Sequence, residues 1–96
     1  MNLPFTARAQ LDLIDIWYAI ARDNPSAADG VLDDIREHAR FLRDHPTAGD
    51  IVRRSPPRLR TSAVGSYVLY YRFEQRRIAI ICVLHGARDF RSPINE

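Results

Sequence analysis

The sequence predicts an α+β domain in which an N-terminal antiparallel helical hairpin packs on a small, mainly antiparallel β-sheet. Three observations predict it. Two stretches of the N-terminal half carry apolar residues at helical spacing, with a short link at Asn24-Pro25 where the chain restarts. Two β-rich runs follow, Val64-Gly65-Ser66-Tyr67-Val68-Leu69-Tyr70-Tyr71-Arg72-Phe73 and Ile78-Ala79-Ile80-Ile81-Cys82-Val83-Leu84, joined by a charged turn. Helices first and strands afterwards is the order of an α+β rather than a β-α-β chain.

The elements follow in order. Residues 2–5 suit a short edge strand, and Thr6 is placed to cap a first helix reaching about Asp23. On its wheel Ala7, Leu11, Ile14, Tyr18 and Ala21 form one apolar stripe, and Leu13, Trp17 and Ile20 form a second beside it. Arg8, Asp12, Asp15 and Arg22 take the polar side. An arc wider than half the circumference has two readings: a helix wedged between a second helix and the sheet, or a surface near Trp17 that awaits a partner chain. Asn24-Pro25 supplies the cap and first position of a second helix, in which Ala28, Val31, Leu32, Ile35, Ala39 and Leu42 recur at 3.6-residue spacing before Pro46. Gly30 inside it is expected to permit close helix–helix approach. Residues 47–57 read as loop, punctuated by Gly49, Pro56 and Pro57. Residues 58–64 form a strand, Gly65-Ser66 a two-residue turn with Gly at positive φ, and residues 67–73 the returning strand. Residues 74–77 turn, and residues 78–84 complete a three-stranded meander. The last run is apolar at nearly every position, as for a strand covered on both faces.

The chain has 96 residues, enough for one domain over 1–96 with one modest core. Hydrophobic residues at 46% and charged residues at 27% exclude a disordered polar chain. All basic residues are arginine; there is no lysine. The net charge of +2 divides unevenly. Residues 1–52 hold five Arg and nine Asp or Glu, giving −4, and residues 53–96 hold nine Arg and three acids, giving +6. A basic sheet half suits an acidic partner, and it equally suits a solvated arginine face. Cys82 lies within the most apolar run and reads as a small core residue, so there is no disulfide framework. No apolar run reaches spanning length and the N-terminus lacks signal-peptide character, so a cytoplasmic, membrane-free protein is expected.

Cofactor chemistry finds no support. His38, His45 and His85 lie far apart with no Cys or carboxylate at ligand spacing, so no metal is expected. Four glycines leave no phosphate-cradling loop. No Ser, His and acid arrangement suggests a nucleophile, and no catalytic residue is assigned. His38 and His45 read as solvent-side or helix-end residues, and the carboxylates Asp12, Asp15, Asp33 and Asp34 as solvated on helix polar faces. The polar cluster His85-Gly86-Ala87-Arg88-Asp89 follows a buried strand, where a rigid support meets a loop.

These pieces together resemble the ParE/RelE superfamily of bacterial toxins, and the ParE branch in particular. The resemblance runs from Phe5 to about Asp89. It rests on Leu11-Asp12-Leu13-Ile14-Asp15-Ile16-Trp17-Tyr18, Asn24-Pro25-Ser26-Ala27-Ala28 and Asp44-His45-Pro46-Thr47-Ala48-Gly49. It closes with Gly65-Ser66-Tyr67, Tyr70-Tyr71-Arg72 and Val83-Leu84-His85-Gly86-Ala87-Arg88-Asp89. No single piece is specific; their order and spacing are. The resemblance implies a RelE/ParE-like fold and the toxin of a type II toxin–antitoxin pair, acting by binding, with DNA gyrase as target. It also implies a ribbon-helix-helix antitoxin as partner, with DNA engaged only indirectly through that complex.

Arg72, His85, Arg88 and Arg91 are the expected target contacts, with Arg88 foremost. Leu13, Trp17, Ile20, Arg58 and Arg60 are the expected antitoxin contacts. Arg72 also suits stacking on a neighbouring tyrosine, and Arg88 an ion pair with Asp89. The RelE branch, which cleaves ribosome-bound messenger RNA, is the alternative. Its chemistry uses lysine, arginine and a late proton-handling residue, often tyrosine. Here lysine is absent, the last tyrosine is Tyr71 inside the sheet, Phe90 stands near the end, and only His85 is able to exchange a proton near neutrality. Direct DNA binding by the basic sheet is a third reading, opposed by the small total charge and the lack of a groove-reading element.

Overall fold

Thr6 sets the start of the first helix, as the sequence predicts. In a computed structural model describing residues 4–52 and 59–86, its hydroxyl accepts from the Ala9 amide at 3.2 Å and opens α1, Ala7–Ala21. The Asn24 side chain accepts from the Ala27 amide at 3.1 Å, and Pro25 occupies the first turn of α2, Pro25–Asp44. Trp17 Nε1 donates to Asp29 at 2.8 Å, joining the two helices.

Four strands follow: β1, Asp50–Ile51; β2, Arg60–Val64; β3, Tyr67–Glu74; and β4, Arg77–His85. They form an antiparallel sheet in the order β1-β2-β3-β4. β1 falls where the sequence reads as loop. Two residues carry no readable alternation, and only pairing of Asp50 with Thr61 and of Ile51 with Arg60 makes them a strand. The β3–β4 turn is also tighter than expected. Glu74 pairs with Arg77, so the connection is Gln75-Arg76 alone, both at positive φ (52° and 64°). Gly65 has φ of 58°, as its turn requires.

β4 ends the hydrogen-bonded order, yet its outer edge is covered. Ile80 donates to the Pro4 carbonyl at 2.8 Å, and Thr6 donates to the Ile80 carbonyl at 3.0 Å. Phe5 thus forms a parallel bridge with Ile80, all that the described residues show of the expected N-terminal edge strand. The Thr6 hydroxyl lies 3.0 Å from the carbonyls of both Ile80 and Ile81, and the Asp12 carboxylate accepts from the Val83 amide at 2.9 Å. Asp12 therefore leaves the solvated set: its side chain is 18% exposed and caps a strand edge that would otherwise be open.

The pairing register shifts between Tyr70, opposite Cys82, and Tyr71, opposite Ile80, so Ile81 is an extra residue on β4. This bulge reverses the alternation. Ile78, Ile80 and Val83 join Leu69, Tyr71, Leu13, Ile35, Ala39 and Leu42 in the main core beneath the helices. Cys82 joins Leu59 and Tyr70 in a second cluster on the opposite face, flanked by Val52, Val68, Ile81 and Leu84. A run apolar at every position is the signature of both faces being covered. Gly30 does not serve helix packing, because a Cβ there would meet nothing within 4 Å.

Candidate functional site

The segment 44–49, one of those carrying the family resemblance, proves to be a latch between α2 and the sheet. Tyr71 is fully buried. Its hydroxyl accepts from the Gly49 amide at 2.9 Å and donates to the Pro46 carbonyl at 2.8 Å. Burial raises the Tyr71 pKa above its ordinary value, so the phenol keeps its proton for Pro46 across the neutral range. Arg60, paired across from Tyr71 on the helix side of β2, donates to the carbonyls of Gly49 at 2.9 Å and Thr47 at 3.3 Å. Arg60 thus holds the loop, a role its strand position alone does not disclose.

The remaining expected antitoxin contacts separate. Leu13 is only 6% exposed and belongs to the core, so it is no free contact in the folded chain. Trp17 and Ile20 are half-buried along α1. Arg60 lies under the other side of the domain, on β2, which packs against α2. Arg58 lies outside the described residues. The wide apolar arc of α1 resolves into two faces. Leu13 and its neighbours turn inward, and Leu11, Ile14 and Tyr18 point away from the sheet with 61%, 50% and 64% exposure.

The expected target contacts also separate. Arg72 lies on the sheet face opposite the helices, paired with Ala79 and two residues from Tyr70. Its Nε is buried without a hydrogen-bond partner, an uncommon state for a guanidinium nitrogen. His85 ends β4 on the helix side, exposed, with its ring edge-on to Tyr67 at 5.4 Å. Five residue steps along β3 separate Arg72 from Tyr67, the partner of His85, on the order of 17 Å along the strand. They do not form one constellation. The Gly86 amide donates to the Ser66 carbonyl at 2.6 Å, tying the end of β4 to the β2–β3 turn. Arg88 and Arg91 lie outside the described residues.

His38 departs from its solvent-side reading. Its Nε2 lies 2.6 Å from the Ser62 hydroxyl beneath α2, and burial lowers its pKa. His38, Phe41 and His45 stack in sequence, with centroids 5.6 and 4.7 Å apart, along a shallow groove at the end of α2. The helical spacing of these three rings was legible in sequence; the Ser62 bond was not. Cys82 is fully buried and its thiol is pushed up to about 11 by desolvation, which leaves it unreactive. Among the described residues no group of three or more His, Cys, Asp or Glu is placed to hold a metal ion. Among them, too, no helix is long and apolar enough to cross a membrane.

Two helices packed on a four-stranded antiparallel sheet define a small α+β domain. The family model described as the ParE toxin of the type II toxin–antitoxin system, parDE, matches residues 3–90, and the chain belongs to that family. A search of curated proteins finds no match.

Proposed function

We propose that this type II toxin acts by binding, with DNA gyrase as its target, and that a ribbon-helix-helix antitoxin neutralises it in the cytoplasm. The observation that carries the binding mode is the separation of the polar groups. A nuclease needs a proton-transfer residue and phosphate-binding cations converging on one point. Here His85 and Arg72 sit on opposite faces of the sheet, and Tyr71 is buried with its hydroxyl committed to Gly49 and Pro46. Arg72, half-buried on the sheet face opposite the helices, is proposed as a target contact. Arg88, Arg91 and His85 are proposed as further target contacts. Trp17, Ile20, Arg58 and Arg60 are proposed for the antitoxin, with Arg60 acting through the loop it holds.

The test is induced expression with and without the antitoxin, scoring plasmid supercoiling and messenger RNA cleavage together. A charge-assisted contact contributes about 1.5–3 kcal/mol, so Arg72→Ala or Arg88→Ala is expected to weaken target binding and toxicity together by about ten- to a hundredfold. His85→Gln is expected to be milder. Ribosome-dependent cleavage abolished by His85→Gln, with supercoiling untouched, would show the RelE-type mechanism instead.

A further inference from the structure

The outward face of α1 has a spacing that the family assignment does not explain. Ala7, Leu11, Ile14, Tyr18 and Ala21 follow one another at intervals of 4, 3, 4 and 3 residues, the a/d repeat of a two-helix seam. A buried helix face needs no such strict repeat, and this stripe is not the buried face. Leu11, Ile14 and Tyr18 are 50–64% exposed, while Ala9 and Leu13 on the far side are buried.

We infer that this seam is covered by α1 of a second copy of the chain, packed antiparallel about a two-fold axis. An antiparallel pair sets a positions against d positions. With Leu11 against Ile14 of the second copy, Ala7 falls opposite Tyr18 of the second copy, and the two-fold repeats both layers. Each large ring then meets the smallest side chain of the seam, and two branched chains of similar size meet at the centre. The flanks are complementary too. Arg8 and Asp15 both flank the seam on the side away from α2, at the positions that face each other between the same two layers. Each Arg8 therefore opposes Asp15 of the second copy, giving two symmetric ion pairs. Both are exposed, Arg8 lies 3.8 Å from Asp12, a loose pairing, and among the described residues no ion pair involves Asp15. The next a-to-d register, which sets Ile14 against Tyr18 of the second copy, places Arg8 against Arg22 and Asp15 against Asp15, and like charges select against it.

A seam on a 15-residue helix is about 22 Å long, small for a permanent interface, so a reversible dimer in the micromolar range or weaker is expected. The test is sedimentation equilibrium of the purified full chain from micromolar to sub-millimolar concentration, without and with antitoxin. The wild-type chain is expected to shift from 11.1 kDa toward twice that mass. Arg8→Asp and Asp15→Arg singly are expected to weaken the dimer at least about tenfold, each placing like charges across the axis. The double reversal, Arg8→Asp with Asp15→Arg, is expected to restore it, which a folding defect would not do. A wild-type chain that stays at monomer mass throughout overturns the inference, as does a dimer indifferent to both single changes. Loss of antitoxin binding in the single variants of a monomeric wild type would assign the seam to the antitoxin and also overturn it. Gyrase inhibition is scored separately and is independent of these outcomes.

Discussion

Replacing Tyr71 by Phe removes one oxygen atom from the latch between segment 44–49 and the sheet, and its consequence follows from two hydrogen bonds. The Gly49 amide, whose residue is buried, loses its acceptor at 2.9 Å, and the Pro46 carbonyl loses its donor at 2.8 Å. A buried polar group left unpaired costs about 1–3 kcal/mol. Pro46 is half-buried, and water reaching its carbonyl offsets part of the loss, so about 2–4 kcal/mol is expected in total. Gly49→Ala attacks the same latch from the other side. The added Cβ would lie 2.5 Å from Tyr71 Oη, 2.7 Å from the Thr61 carbonyl oxygen and 2.8 Å from Tyr71 Cε1. Two of these neighbours belong to a fully buried ring and the third is sheet backbone, so the loop has to move and the same hydrogen bonds break. The two substitutions are therefore expected to be strongly non-additive in a double-mutant cycle. Urea unfolding followed by fluorescence of the single tryptophan, Trp17 on α1, reads global stability away from the latch. A Tyr71→Phe midpoint within about 0.5 kcal/mol of wild type, at unchanged slope, would refute the latch.

Four further outcomes are expected. Asp12→Ala leaves the Val83 amide without its side-chain acceptor and should lower stability by about 1–3 kcal/mol, with Asp12→Asn milder, both measured by chemical unfolding. Gly30→Ala should raise stability by about 0.5–1 kcal/mol, because the site is helical and open around the added methyl; an unchanged or lower thermal midpoint would contradict this. Gln75→Asn with Arg76→Gly should stabilise the β3–β4 turn by about 1 kcal/mol or more, since both residues hold positive φ, and hydrogen exchange across the hairpin would report it. The Cys82 thiol is raised from 9.0 to about 11 in the folded chain. The unfolded chain therefore releases this proton first, so the contribution is full below pH 9 and is lost as pH rises through about 11. A loss of roughly 2–3 kcal/mol over that window is expected, and Cys82→Ala should flatten the slope.

Local signals set the ends of both helices. Thr6 and Asn24 supply caps, Pro25 a fixed φ and Pro46 a stop, and each acts within a few residues of itself, which is why sequence alone determines them. The meander was legible for the same reason: Gly65 supplies the positive φ of its turn, and apolar runs flank it. What escaped depends on partners distant in sequence. Asp12 reads as a solvated helix acid until Val83, 71 residues away, presents its amide. Arg60 reads as a surface strand arginine until the carbonyls of Thr47 and Gly49 come within reach. The bulge at Ile81 is invisible where every residue of the run is apolar, because no polar position marks the change of phase. For the candidate site, sequence determined which residue types were available and that α1 carried more apolar surface than one neighbour needs. Only the tertiary structure decided that Leu13 turns into the core while Leu11, Ile14 and Tyr18 turn out, and that Arg72 and His85 face opposite sides of the sheet. Helical periodicity gives the angle between stripes on a helix; the surface against which the helix packs determines which stripe is buried.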